Sequence, residues 1–112
     1  MTPRVSYIIP AYNAAATLGA TLRSLLAQRE DRWEAVVVDD GSRDGTASAA
    51  ASVRDARVQV VRIPNSGPAV ARERGWAVAQ GEYVVFLDAD DQVTPDHGAR
   101  LLEAARGLDS AA

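Results

Sequence analysis

The sequence contains no cysteine and no lysine, so all twelve of its basic Lys/Arg-type side chains are arginines. Without cysteine the chain can form no disulfide, no thiolate metal site and no cysteine nucleophile. This composition is compatible with a reducing compartment. Runs of basic residues are also missing, and the formal net charge is −3. Nucleic acid is therefore a poor first candidate for a partner.

Long apolar runs are missing too. The apolar run that starts at Val5 stops at Pro10, which is too short for a signal-peptide core with its cleavage site and for a membrane span. We expect a cytoplasmic protein without a transmembrane segment, with peripheral contact to the inner face of the membrane as the alternative for a full-length protein. A chain of 112 residues corresponds to one domain at most.

The sequence does contain a regular alternation of strand and helix patterns. Short apolar segments rich in β-branched residues predict buried strands, and apolar residues at helical spacing predict amphipathic helices. Pro10 should stop the first strand, Asn13 and Thr94 should cap the first and last helices, and Gly81 should close the third helix. The predicted strands are 5–9, 35–38, 58–63 and 83–87, and the predicted helices are 14–28, 46–53, 68–80 and 95–106.

This order predicts an α/β fold, with a mostly parallel, Rossmann-like sheet of about four strands flanked by helices and joined by right-handed crossovers. We expect the strand order 3-2-1-4, and a frayed tail over residues 107–112. In such sheets ligands bind beyond the carboxyl ends of the strands, near the point where the strand order reverses. The candidate site residues are Pro10, Ala11, Tyr12 and Asn13 after the first strand, Asp39 and Asp40 after the second, and Asp88, Asp90 and Asp91 after the fourth.

The acidic residues of this group point to a divalent cation. Carboxylates gathered at one edge repel one another unless a positive charge joins them, and Mg²⁺ and Mn²⁺ prefer carboxylate and phosphate oxygens. Asp88 and Asp90 are two residues apart, so their side chains point the same way in extended backbone. One could bind the cation while the other reaches a sugar hydroxyl. The cation would attract a diphosphate. Tyr12 could then stack on a nucleobase, and Asp40 could accept a hydrogen bond from an N–H of that base.

Each feature alone also has a structural interpretation. Acidic loops are common at strand ends, the segment 39–42 could form a simple turn, and Tyr12 could be an aromatic at the rim. Arg72 and Arg74 are interpreted as solvated, with a phosphate as the alternative contact for one of them. Three further residues are interpreted as structural: His97 as a surface residue of the last helix, and Trp33 and Trp76 as packing residues at the ends of elements.

Four blocks of sequence are more specific together than any one alone. Residues 5–13 (VSYIIPAYN), 36–46 (VVVDDGSRDGT), 65–75 (NSGPAVARERG) and 81–91 (GEYVVFLDADD) resemble, in order and spacing, the opening of the family 2 glycosyltransferases, which have the GT-A fold. The resemblance covers residues 5 to about 106. It implies that they form the nucleotide-sugar-binding half of a GT-A domain. One departure is Glu73, where the family often has asparagine after the arginine.

The resemblance implies a nucleotide-binding role for several positions. Pro10, Ala11 and Tyr12 would lie against the base, with Tyr12 as the stacking surface. Asp40 would hydrogen-bond the base, and Arg72 would sit near the nucleotide. The implied donor is a nucleotide-diphosphate sugar, most commonly a UDP-sugar, with GDP and dTDP left open.

The resemblance also implies a metal site at the segment 88–90. Asp90 would coordinate Mn²⁺ or Mg²⁺. Asp88, followed by Ala89, would contact the ribose or the metal-bound diphosphate and share in metal binding. The implied reaction transfers the sugar to an unknown acceptor, with inversion.

Such enzymes are longer than this chain, and their second half supplies the acceptor site and an acidic general base. No candidate for that base follows Asp91, since Asp96, Glu103 and Asp109 are interpreted as surface charges. We therefore expect a truncated chain that is inactive alone, with a non-catalytic nucleotide-binding fragment as the alternative. Its fourth strand would be an exposed edge through which the chain forms a homo-oligomer.

Three other classes fit less well. A receiver-type signalling domain has a similar length and paired aspartates, but it would be expected to carry a lysine in its phosphorylation site. A nucleotidyltransferase would be expected to have a glycine-rich loop after the first strand, where this chain has Pro10 to Asn13. A dinucleotide-binding domain would need a G-x-G-x-x-G motif after a strand.

Overall fold

The computed structural model describes residues 2–111, with side chains described through Gly107, and contains a four-stranded sheet between helices. All strand pairs are parallel, and the strand order is β3-β2-β1-β4, which confirms the predicted order. The elements are β1 Val5–Ala11, α1 Leu18–Leu26, β2 Trp33–Asp40, α2 Thr46–Ala51, β3 Val58–Ile63, α3 Pro68–Val78, β4 Tyr83–Phe86 and α4 His97–Ala111.

Alternate residues of the central strand β1 pack on opposite faces of the sheet, as the pleat of a strand requires. Tyr7 and Ile9 belong to the larger core cluster, which includes Leu22 of α1. Ile8 belongs to a second cluster with Ala71 of α3. A Cβ at Gly75 of α3 would collide with Ile8 Cγ2, so a glycine allows this helix to lie directly on the sheet. The two clusters fix the sheet between its helices.

The first two strands end later than predicted, and the expectation that Pro10 stops β1 is wrong. Pro10 lies inside β1, opposite Val38 of β2. Ile8 accepts a hydrogen bond from the amide of Leu87, at 2.9 Å. Peptide groups alternate in direction along a strand, so the nitrogen of Pro10 faces the side of β4, as the carbonyl oxygen of Ile8 does. At the level of Pro10, however, β4 has already ended, at Phe86. The missing N–H of Pro10 therefore costs no ladder hydrogen bond.

Asn13 does not cap α1, contrary to the prediction. Its φ of 49° lies in the left-handed region, which asparagine tolerates better than most residues. The N-cap is Thr17, and a hydrogen-bonded turn precedes the helix, with the Leu18 amide 2.9 Å from the Ala14 carbonyl oxygen. The chain thus gains an extra turn between β1 and α1.

The later boundaries also differ from the predictions. Gly81 does not close α3, which ends at Val78 with Ala79 as its C-cap; instead the Gly81 amide donates to Ser6 Oγ at 2.8 Å. The last helix starts at His97, so Thr94 is not its cap. The other differences are a β2 that begins at Trp33, a β4 that ends at Phe86, an α1 that ends at Leu26, an α2 that ends at Ala51 and an α4 that continues through Ala111, whereas Ala112 lies outside the described residues.

Of the three residues interpreted as structural, His97, Trp33 and Trp76, only Trp33 matches its prediction. It is 2% exposed, under the guanidinium of Arg57. Trp76 is 59% exposed and stacks on Phe86 instead of packing inside. His97 is half-buried, with Nδ1 2.9 Å from the hydroxyl of Tyr7; burial raises the pKa of that hydroxyl.

A helix that crosses a membrane needs about 20 consecutive, mostly apolar residues. Within residues 2–111, no helix is both long enough and apolar enough to do so.

Candidate functional site

The carboxyl ends of β1, β2 and β4 meet at one edge of the sheet, because β1 lies between the other two strands. Two depressions lie there, and they share Pro10 and Tyr12. One is lined by Pro10, Tyr12, Asn13, Ala14, Thr17, Asp88, Ala89 and Asp90, and the other by Pro10, Ala11, Tyr12, Asp40 and Pro68. The structure therefore brings together the candidates named above for the nucleotide and the metal, with the exceptions of Arg72 and Asp39.

Three carboxylates form an acidic cluster on the loop after β4. One oxygen from each of Asp88, Asp90 and Asp91 lies within 4.8 Å of the other two, and all three side chains are exposed. Oxygens gathered at this spacing on a solvent-facing loop fit a hard divalent cation that keeps several other ligand positions for water or phosphate. Asp91 was not among the predicted metal ligands, although its place beside Asp90 in the sequence was a signal for it.

The acidic loop is anchored to the fold by its backbone. Leu87 is 8% exposed and joins the core cluster below the loop. The amide of Asp91 donates to the carbonyl oxygen of Asp88 at 3.0 Å, which closes a turn. The hydroxyl of Thr21 on α1 donates to the carbonyl oxygen of Ala89 at 2.9 Å. Thr21 was not among the predicted site residues, since a threonine on a buried helix face gives no sign of its distant acceptor.

Asp40 has a structural role that the sequence did not reveal. Its side chain accepts hydrogen bonds from the amides of Ser66, at 2.7 Å, and Gly67, at 3.0 Å, one to each oxygen. The residue is only 4% exposed. It lies where α3 begins, at Pro68, and a carboxylate at a helix N-terminus is favoured by the helix dipole. Asp40 thus joins the end of β2 to the loop before α3.

Asp39 serves the fold and does not line either depression. Its carboxylate is 1% exposed, accepts the amide of Ser42 at 3.0 Å and lies 3.3 Å from the Nε of Arg62. This turn agrees with the structural interpretation of the segment 39–42. Of the two adjacent aspartates, only Asp40 reaches the candidate site.

The loop that carries Tyr12 is braced by the loop after β2. The amide of Asn13 donates to Ser42 Oγ at 2.9 Å, and the side-chain oxygen of Asn13 accepts the amide of Arg43 at 2.9 Å. Asp44 accepts hydrogen bonds from the amide of Ala15 and from the hydroxyl of Thr46. That hydroxyl is the main cause of the lowered pKa of the Asp44 carboxyl.

This bracing fixes the backbone after Tyr12, and the backbone before it is held in the sheet because β1 ends at Ala11. The tyrosine ring is 53% exposed at the rim. A rigidly mounted, half-exposed aromatic ring is suited to stacking against a planar ligand.

Arg72 lies apart from the acidic cluster. It lines a separate, apolar depression with Glu73, Trp76 and Phe86, which shares no lining residue with the depressions that Tyr12 lines. The exposed Trp76–Phe86 pair makes this an aromatic patch between α3 and β4.

Comparison with protein families gives one clear result. The model of the family described as "Glycosyl transferase family 2" matches residues 6–112. Among curated proteins, the chain is 40% identical to the succinoglycan biosynthesis protein ExoO of Rhizobium meliloti (strain 1021), over 92% of this chain and 30% of that protein. It is 43% identical to the putative teichuronic acid biosynthesis glycosyltransferase TuaG of Bacillus subtilis (strain 168), over 90% of this chain and 41% of that protein. The chain thus spans less than half the length of these relatives.

Solved structures show the same architecture. The chain matches residues 1–349 of TarS from S. aureus in complex with UDP-GlcNAc, with a TM-score of 0.84 and 33% identity, over 96% of this chain and 31% of that one. It also matches the mannosyltransferase PcManGT from Pyrobaculum calidifontis in complex with GDP-Man and Mn²⁺, with a TM-score of 0.81 and 34% identity, over 91% and 32% of the two chains.

Proposed function

This chain belongs to glycosyl transferase family 2 and has the GT-A fold, and from that premise we propose that it binds a nucleotide-diphosphate sugar through a divalent cation. The observation that carries the proposal is the cluster of Asp88, Asp90 and Asp91, whose carboxylate oxygens lie within 4.8 Å of one another. Tyr12 and Asp40 lie at the same edge of the sheet. A cation at the cluster would therefore hold a diphosphate within reach of both.

The proposed cation is Mn²⁺ or Mg²⁺, held by Asp90 with Asp88, and Asp91 is close enough to join them. Such a cation, when bound, offsets the charge of the diphosphate and of the nucleoside diphosphate that leaves. Support comes from the carboxylate-only donor set and from the Mn²⁺ in the similar mannosyltransferase structure. Asp88 would also contact the ribose or the diphosphate, with Ala89 lining the depression between the two aspartates.

The proposed place for the base is the depression lined by Pro10, Ala11, Tyr12, Asp40 and Pro68. Tyr12 would stack on the base. Each oxygen of Asp40 accepts one backbone amide and keeps a second lone pair, which could accept a base N–H. We propose a UDP-sugar as the donor, since UDP-GlcNAc is bound in one similar structure; GDP and dTDP sugars remain alternatives, as GDP-Man is bound in another.

The proposed reaction is transfer of the sugar to an acceptor with inversion. We propose that the acceptor site and the general base are supplied by residues beyond the nucleotide-sugar-binding half, which we assign to residues 5–106. The matched part covers only 30% and 41% of the two relatives named above. On this proposal the 112-residue chain alone binds donor and transfers no sugar.

Isothermal titration of the chain with UDP, with and without Mn²⁺, tests this function. We expect binding that strengthens when Mn²⁺ is present. Equal binding of several nucleoside diphosphates with no dependence on metal would contradict the proposal.

Replacing Tyr12 with alanine is expected to weaken UDP binding by about 1–3 kcal/mol, the usual loss when a base-stacking ring is removed. Because Tyr12 is half-exposed and contributes no described core contact, the unfolding free energy should change little. Titration of both chains with UDP and Mn²⁺ gives the affinity. Tyr12→Phe is the control and should bind nearly as well as the wild type, whereas equal binding by Tyr12→Ala would remove the stacking role.

We also propose that the chain associates with itself through the β4 edge and the aromatic patch beside it. β4 forms one edge of the sheet, and an edge strand offers backbone groups for pairing. Trp76 and Phe86 are 59% and 47% exposed, which is unusual for stacked aromatics on a monomer surface. Light scattering should show a mass that rises with protein concentration. The rise should be smaller for Trp76→Gln than for the control, Arg74→Gln, which lies outside the aromatic patch. A wild-type monomer at all concentrations would contradict this.

A further inference from the structure

We infer that Thr21 is a positioning residue for the metal-binding loop, holding the carboxylates of Asp88 and Asp90 in place through the backbone of Ala89. The inference rests on the proposed function, because it assigns Thr21 a role in binding the proposed cation. It goes beyond that function in naming a residue outside the loop, on α1, as a determinant of metal affinity.

The hydrogen bond from Thr21 to the loop is well placed to do this. Thr21 is completely buried, and its Oγ1 lies 2.9 Å from the carbonyl oxygen of Ala89. The competing acceptor within the helix, the carbonyl oxygen of Thr17, lies farther away at 3.4 Å. Ala89 lies between the two aspartates in the sequence. Its carbonyl group belongs to the peptide bond with Asp90, so the hydrogen bond fixes the backbone that carries the side chain of Asp90.

The loop needs such a tether because its own charges oppose its shape. Three carboxylates within 4.8 Å of one another repel when no cation joins them, and the only apolar packing within the segment 88–91 is the partial burial of the small side chain of Ala89. A hydrogen bond to the intervening carbonyl oxygen holds the loop in the arrangement that the cation requires. The cation then binds without first reordering the loop, which is the advantage of preorganisation.

A second hydroxyl on the same helix supports the assignment. Ser24, three residues after Thr21, accepts the amide of Val93 at 3.1 Å and donates to the carbonyl oxygen of Thr21 at 2.6 Å. The two side chains therefore hold the loop at two points, Ala89 and Val93. Leu22 and Leu25 of the same helix are fully buried in the core cluster, so the tether is attached to a rigid support.

A purely structural role for Thr21 predicts something different. If the hydroxyl only satisfies a buried polar group, its removal should lower the stability of the fold and leave the intrinsic affinity for metal unchanged. If it positions the loop, its removal should weaken metal binding even under conditions where the variant is fully folded. Partners that orient metal ligands typically change metal affinity by about 10-fold or more when they are removed.

The experiment compares Thr21→Val with Thr21→Ser in the full 112-residue chain. Valine keeps the shape of threonine and loses the hydroxyl, whereas serine keeps the hydroxyl. Val5→Ala is the stability control, since Val5 is fully buried at the opposite end of β1. Mn²⁺ affinity is measured by electron paramagnetic resonance of free Mn²⁺, stability by thermal unfolding, and UDP affinity by titration in EDTA.

Thr21→Val is expected to bind Mn²⁺ about 10-fold more weakly, while Thr21→Ser stays close to the wild type. Val5→Ala should unfold at a lower temperature with unchanged Mn²⁺ affinity, and UDP affinity in EDTA should be the same for all four chains. If Thr21→Val does not fold, Thr21→Cys, with a much weaker donor, replaces it with the same expected loss. Wild-type Mn²⁺ affinity in the folded variant would overturn the inference alone, whereas a wild-type chain that binds no Mn²⁺ would overturn the proposed function as well.

Discussion

Asp90→Asn is expected to bind UDP no more tightly with Mn²⁺ than without it. The substitution keeps the shape of the side chain and removes its charge, so the cluster loses one of the anionic oxygens that make it a site for a hard cation. A partner that only orients a metal ligand typically contributes about 10-fold or more to metal affinity, so removing the charge of the ligand itself should cost at least that much of the metal-assisted affinity. Calorimetric titration of UDP in Mn²⁺ and in EDTA measures this difference directly.

Asp31→Asn is the matched control for this variant. It makes the same change in net charge at an exposed residue before β2, at the opposite end of the sheet. We expect it to keep the full Mn²⁺ dependence of the wild type. If Asp90→Asn also kept it, the acidic cluster would not be the metal site.

Asp40→Ala is expected to lower the free energy of unfolding by about 3 kcal/mol. The amides of Ser66 and Gly67 both donate to this buried carboxylate, and hydrogen bonds to a charged group contribute about 1.5–3 kcal/mol each. The loss would be a large part of the roughly 5–15 kcal/mol that stabilises a typical domain. Urea unfolding followed by circular dichroism gives the change, and an unfolding free energy equal to that of the wild type would contradict the geometry at Asp40.

Asp40→Asn separates the structural role of Asp40 from the proposed contact with the base. The amide oxygen still accepts one backbone N–H, so the loss of stability should be smaller than for alanine. Because Asp40 would contact the base and not the cation, UDP affinity should fall in EDTA as well as in Mn²⁺. Asp90→Asn, in contrast, should lose affinity only in Mn²⁺. Unchanged UDP binding by a folded Asp40→Asn would remove Asp40 from the base site.

Much of the fold was predictable because the strands are buried on both faces. Continuous apolar segments such as that around Val36 predict strands of a covered parallel sheet, and the carboxyl ends of such strands meet at one edge. The exact ends of β1 and β2 were not predictable. They depend on how far the neighbouring strands extend, which is why Pro10 could remain inside β1 beyond the last residue of β4.

The candidate site was predictable where the chemistry lies within one short motif, as in the segment 88–91. It was not predictable where a side chain acts on distant backbone. The side chain of Thr21 hydrogen-bonds the backbone of Ala89, and that of Asp40 hydrogen-bonds the backbone of Ser66. The helical and strand periodicity of the sequence predicts neither contact. The partial burial of His97 was missed for the same reason, since its partner is the hydroxyl of Tyr7 on β1.

The most direct test of the central claim is where Mn²⁺ binds on the chain. In nuclear magnetic resonance spectra of the labelled protein, low concentrations of paramagnetic Mn²⁺ should broaden the amide signals of residues 88–91 first, followed by Asn13 and Ala14, which line the same depression. The indole signal of Trp33, at the far end of β2, should remain sharp, and excess diamagnetic Mg²⁺ should reverse the broadening. Strongest broadening at other acidic residues, such as Asp55, or no selective broadening at all, would contradict a metal-dependent nucleotide-sugar site at this edge of the sheet.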